Sequence, residues 1–119
     1  MVKKMSFKSL IVWQKAYELT LYIYRIAKKF PKSDEFVLKS QIQKAAISIP
    51  ANIAEGYERQ HRKEYLQFLS IARGSLGELE TYILLVKELS YITEREYDQI
   101  NNLRSEVGRL LRGLVRSLS

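Results

Sequence analysis

One stretch constrains the fold more than any other. In AAISIPANIAEGYER, Ala45 to Arg59, the apolar residues keep helical time straight through a proline and up to a glycine. Advancing about 100° per residue, Leu38, Ile42, Ala45, Ala46, Ile49, Ile53 and Gly56 share one arc, the expected core face of a helix. Pro50 removes one backbone hydrogen bond and crowds the carbonyl of Ala46. Because the apolar phase continues past it, a kinked helix is expected rather than a broken one. Gln41, Ser48, Asn52, Glu55 and Arg59 form a polar stripe, and beyond it Phe36, Ile47, Ala51 and Ala54 form a second apolar strip. A helix apolar on two faces is buried on two faces. The rest of one small bundle can hardly cover both, so the second strip predicts self-association. Asn52 and Glu55 are then expected to be buried and hydrogen-bonded to a neighbouring helix or subunit, with Arg59 or Arg73 as charge partner. Gly56 is expected to let that neighbour come close.

Three further stretches keep the same period. Val12, Trp13, Ala16, Leu19, Thr20, Ile23, Tyr24, Ala27 and Phe30 fall on one side of a first helix, which Phe30-Pro31 stops because proline disfavours the helical region for the residue before it. Ser33 is placed to cap the second helix, with Asp34 and Glu35 in its first turn. A third helix is expected from Arg62 to Leu89, and a fourth opens at Thr93 and Glu96, which have capping-box spacing. No segment alternates like a strand, and the connections are short. Helices of similar length joined by short connections are antiparallel neighbours. The expected fold is therefore all-α, an up-down-up-down antiparallel four-helix bundle in one domain, 1–119, with Trp13, Ile49, Leu69, Leu76, Ile83 and Leu110 in or bordering its core. All five glycines lie inside the predicted helices. Gly108 and Gly113 read as tolerated surface positions, whereas Gly56 and Gly74 look purposeful.

Composition narrows the function. The chain has no cysteine, which removes disulfides and thiolate metal sites. Its one histidine, His61, falls at a predicted turn, so the two Glu-x-x-His motifs of a di-metal bundle cannot be assembled. The run RGSLGE is neither a phosphate loop nor a nucleophile elbow, since both need a strand before them. No catalytic residue, cofactor or metal is expected. Neither a signal-type apolar run nor a membrane-length one occurs, and the reading is a soluble cytoplasmic protein.

Charge points to partners. The net charge is +7, and residues 1–32 carry all of it, with eight Lys/Arg against one acid. In an up-down bundle the start of the first helix lies beside the end of the fourth, so Lys3, Lys4, Lys8 and Lys15 would share one end with Arg109, Arg112 and Arg116. Repeated around an oligomeric ring, such a patch becomes a basic annulus where phosphate contacts add up. RNA or DNA binding without sequence specificity is one expectation. A structural oligomer whose basic surface meets an acidic protein partner is the other.

The residues also carry a family resemblance. The pair FP at 30–31, Glu35, Leu38, Gln41, AAISIPANIAEG at 45–56, Arg59, FLSIARGSLGELET at 68–81, and Leu10 with Trp13 resemble the rRNA intervening-sequence proteins over about residues 7–118. Lys44 departs from the arginine common before the Ala-Ala pair, which keeps the charge and loses a bidentate donor. The resemblance implies up-down helices assembling as homo-pentamers and implies no catalytic activity. A related group resembles the accessory subunit of diversity-generating retroelements, a basic pentameric barrel that binds a reverse transcriptase and nucleic acid.

Overall fold

The four helical phases become four helices in the structure, a computed structural model that describes residues 6–119. They are α1 (Ile11–Ala27), α2 (Ser40–Glu58), α3 (Arg62–Glu88) and α4 (Glu94–Leu118). A 3-10 turn, Phe7–Ser9, leads into α1 and is capped by the Ser6 side chain. No strand occurs among the described residues. Cross-helix pairs fix the directions. Lys15 of α1 and Lys29, two residues past its end, meet Glu106 and Glu96 of α4, Ser48 and Gly56 of α2 meet Ser75 and Phe68 of α3, and Glu80 and Lys87 of α3 meet Arg104 and Tyr97 of α4. In each set one number rises as the other falls, so α4 opposes α1 and α3, and α2 opposes α3. It follows that α2 also opposes α1, and the chain is an up-down-up-down four-helix bundle of 52 × 25 × 24 Å. No helix is long and apolar enough to cross a membrane.

One apolar cluster runs the length of the bundle. Ile49, Leu69, Leu76 and Ile83 are buried in it, while Trp13 and Leu110 are half-buried at its border. The inner face of α1 is turned from the expected phase. Ile26 is buried and Tyr24 is exposed, because the face centres on the line through Val12, Leu19 and Ile26 and leaves Trp13, Thr20 and Tyr24 on its flank.

The α1–α2 connection differs from the expected Ser33 cap. A 3-10 turn, Lys32–Asp34, and one π-helical turn, Glu35–Lys39, precede α2, and this geometry brings Asp34 rather than Ser33 level with the free amides. Asp34 Oδ1 accepts from the Leu38 amide at 3.0 Å, and Oδ2 accepts from the Tyr91 hydroxyl at 2.8 Å. That hydrogen bond, followed by burial, holds the Tyr91 pKa above its usual value. Between α3 and α4 the chain reverses through Ser90 at φ 60°. The Ser90 and Tyr91 amides donate to the carbonyls of Lys87 and Val86 at 3.0 and 2.9 Å, a Schellman closure made without the usual glycine. Thr93 and Glu96 form the expected capping box at the start of α4.

Pro50 sits buried inside a continuous α2. Its missing N–H frees the carbonyl of Ala46 one turn earlier. The hydroxyl of Thr20, on α1, lies 3.0 Å from that carbonyl oxygen and 2.8 Å from the Ala16 oxygen. A neighbouring helix thus brings one hydroxyl proton, shared with the Ala16 carbonyl, to the place of the donor that the proline took away. Gly56 permits the tightest approach of α2 to α3: a Cβ there would stand 2.9 Å from Phe68 Cβ and from Tyr65 Cδ1. Gly108 is buried rather than a surface position, since a Cβ there would lie 3.3 Å from Leu76 Cδ2 and from Arg112 Nη1. Gly74, in contrast, faces open space in the single chain.

Candidate functional site

The α1–α2 side carries an apolar recess of about 320 Å³. Phe7, Trp13 and Tyr17 form one wall, with Trp13 edge-on to Phe7 at 5.2 Å and stacked on Tyr17 at 5.0 Å. Ile47, Pro50, Ala51 and Ala54 form the other. The helix phase explains the walls: alanines on α2 leave room that the α1 aromatics border without filling. Of the four residues expected at an oligomer interface, the structure brings Ile47, Ala51 and Ala54 together here. Phe36 is separate from them. It stands 88% exposed on the π-helical turn, beside Val37 at 66%, and fifteen residues from Ala51 means roughly 20 Å along a helix at 1.5 Å per residue. Sequence phase put all four on one strip, which is correct in angle but says nothing of the gap along the axis.

The polar stripe behaves differently from its expectation. Asn52 is half-buried and donates within its own helix, to the Ser48 carbonyl at 2.7 Å and to Ser48 Oγ at 3.0 Å. Ser48 makes the cross-helix contact, accepting from Ser75 Oγ at 2.7 Å. Glu55 is exposed, in correction of its expected burial, and pairs with Arg59 at 3.2 Å. Its position on α2 turns it outward past the α3 contact, and one helical turn to Arg59 is the shortest route to a cation. Arg59 also reaches Glu64 at 3.6 Å and lies over the Phe68 ring at 4.8 Å. No ion pair joins Arg73 to Glu55 among the described residues.

The expected basic end is partly assembled. Lys3 and Lys4 lie outside the described residues. Lys8 is exposed before α1, and its carbonyl accepts from Gln14 Nε2 at 2.8 Å. Lys15 and Arg109 are brought together through Glu106, at 3.6 and 3.8 Å, so part of their charge is already met. Arg116 is exposed near the end of α4. Arg62, at the start of α3, donates to the Leu118 carbonyl and adds a further cation at the same end. Arg112 turns away from this group into a groove on the α3–α4 side, shared with Arg73 and Arg104. Sequence reasoning passed over Arg73 and Arg104 as groove residues; the spacing of Arg104 and Arg112 on α4, eight residues apart on one face, was the available signal.

Comparisons with known proteins place these features in a family. Residues 8–113 match the family described as 23S rRNA-intervening sequence protein. A crystal structure of a Bacteroides thetaiotaomicron protein, described as of unknown function and from the S23 ribosomal protein family, superposes with a TM-score of 0.82. It is 32% identical, and the match covers 88% of this chain and 98% of that one. No curated protein matches the chain significantly. With the match extending from before α1 into the last turns of α4, the chain belongs to the 23S rRNA-intervening sequence protein family.

Proposed function

We propose that the protein acts without catalysis, as a homo-oligomeric ring whose basic surface holds RNA or DNA in the cytoplasm. The observation that carries the assembly is the open apolar recess of Trp13, Tyr17, Ile47, Ala51 and Ala54, because contiguous apolar surface on a small chain marks an interaction site. A closed ring needs one patch to meet a different patch on the neighbour. The projecting Phe36 and Val37 are the complementary patch in this reading. Five copies is the count implied by the family resemblance.

The nucleic-acid half rests on the net charge of +7 and on Lys8, Arg62 and Arg116 at one end of the bundle. Ring repetition multiplies weak phosphate contacts into a steep salt dependence. Light scattering on the purified protein tests the ring, and a monomer at micromolar concentration overturns it. Retention of a single-stranded RNA across a salt series tests the second half. Lys8→Glu with Arg116→Glu should weaken retention and flatten the salt slope. Unchanged retention leaves the ring standing and moves its function to an acidic protein partner.

A further inference from the structure

The arginine groove on the α3–α4 side is distinct from both surfaces above. It encloses about 310 Å³ between Arg73, Leu76, Gly77 and Glu80 of α3 and Arg104, Ser105, Gly108 and Arg112 of α4. Its floor is opened by glycine. A Cβ at Gly77 would meet no atom within 4 Å, so the space a side chain would occupy belongs to the groove. Glycine inside a helix costs about 1 kcal/mol relative to alanine, and at Gly77 no packing contact within the chain accounts for that cost.

Three guanidinium groups face one carboxylate here, which leaves two positive charges unneutralised. The three are not equivalent. Arg104 is held in place, with an 18% exposed side chain that donates to Asn101 Oδ1 through Nε at 3.2 Å and Nη2 at 2.9 Å, and with Nη1 3.7 Å from Glu80. Arg73 and Arg112 have no hydrogen bond or ion pair among the described residues, and the Ser105 hydroxyl has no partner either. The groove therefore combines one fixed cation with two unspent forks and an unspent hydroxyl donor.

We propose that this groove is a binding site for a phosphate monoester. Guanidinium forks match phosphate oxygens in pairs, and a monoester carries a charge of about −1.5 to −2 at neutral pH, which meets the unneutralised charge of the groove. A carboxylate or an internal phosphodiester supplies only half of that. The volume is at the small end of ligand pockets, roughly 300 Å³ and upward, enough for a phosphate and part of the group it esterifies. Two sources present this chemistry: the terminal phosphate of a nucleic-acid strand and a free nucleoside monophosphate. The strand source rests on the nucleic-acid reading above; the nucleotide source does not.

The test uses the full chain and three probes: a twelve-nucleotide single strand with a 5′-phosphate, the same strand with a 5′-hydroxyl, and adenosine monophosphate. Amide resonances of Gly77 and Gly108 report occupancy, because neither residue has a side chain to rearrange. Adenosine monophosphate should shift both in the native chain, not in Arg73→Gln with Arg112→Gln, and still in Arg116→Gln. A strand source adds an affinity for the phosphorylated strand about tenfold above the hydroxyl strand, lost in the same double variant. Equal affinity for the two strands with the nucleotide shifts intact assigns the site to free nucleotides. Absence of nucleotide shifts in the native chain overturns the proposal. So does a change of oligomeric mass in the double variant, which would make the groove a subunit contact. Failure of the end-patch variants to alter RNA retention, by contrast, leaves the nucleotide result untouched.

Discussion

The α1–α2 and α3–α4 sides of this bundle have grooves of nearly the same volume, about 320 and about 310 Å³, and opposite chemistry. On the first, aromatics of α1 face alanines and a proline of α2. On the second, arginines of both helices surround a floor of Gly77 and Gly108. The lesson is that two antiparallel helices always leave a furrow, and its size follows from the packing distance of the pair. What the furrow can hold is decided by the residues just outside the buried seam. Alanine on one wall makes room for another apolar surface, and glycine on the floor makes room for a ligand between charged walls.

The largest expected effect separates the two sides outright. Ile47→Asp with Ala51→Asp puts two carboxylates into the apolar recess, where burial of an unpaired charge costs several kcal/mol. Light scattering should then read a monomer, while Glu80→Ala on the opposite side leaves the mass unchanged. If both variants dissociate the protein, or neither does, the contrast between the sides is lost. The fold of the first variant should persist, since Ile47 is already 45% exposed.

Next in size is the α2–α3 seam that lies between the two sides. Gly56→Val would drive side-chain atoms into Phe68 and Tyr65, which stand 2.9 Å from the first added carbon. Urea denaturation should show a loss of about 1–3 kcal/mol, the usual cost of overpacking. Gly77→Ala on the arginine side should instead gain up to about 1 kcal/mol, because that position opens onto free space and alanine is the better helix former. A smaller effect belongs to the apolar side alone. Thr20→Val keeps the shape and removes the hydroxyl that serves the Ala46 carbonyl, so stability should fall by about 1 kcal/mol. An unchanged melting curve would mean that the freed carbonyl needs no donor.

The smallest effect is a pH dependence at the α1–α4 seam. Burial pushes the Glu96 carboxyl up, but the hydrogen bond from Lys29 and the backbone bond from Thr93 outweigh it and hold the pKa below the ordinary 4.5. The folded state therefore binds this proton less readily than the unfolded state. The contribution is present above pH 4.5 and is lost as pH falls through the lowered folded value. The native chain should lose melting temperature faster than Glu96→Gln over that acid range; parallel curves would remove Glu96 from the account.

Local rules in the sequence reached a long way. The helical phase of Ala45 to Gly56 carried through Pro50, and α2 is continuous there. Thr93 and Glu96 cap α4 because their spacing is itself the geometry of the motif. The Ser33 cap failed for the complementary reason, since a 3-10 and a π-helical turn shifted the register by one residue and nothing local announces such turns. Glu55 was placed by angle on a crowded stripe, but burial depends on how far a neighbouring helix extends across that angle.

By itself, then, the sequence determined periodicity, chain reversal and charge, and with them the all-α bundle, because these follow from residues within a few turns of one another. Only the tertiary structure decided that Thr20 answers Pro50, that Gly56 is pressed by Phe68 while Gly77 stands open, and that Arg73, Arg104 and Arg112 share one groove. Each of those facts joins residues from different parts of the chain. Their distance is set by how the helices pack, by rotation about and translation along their axes, and neither quantity is written in the period of a single helix.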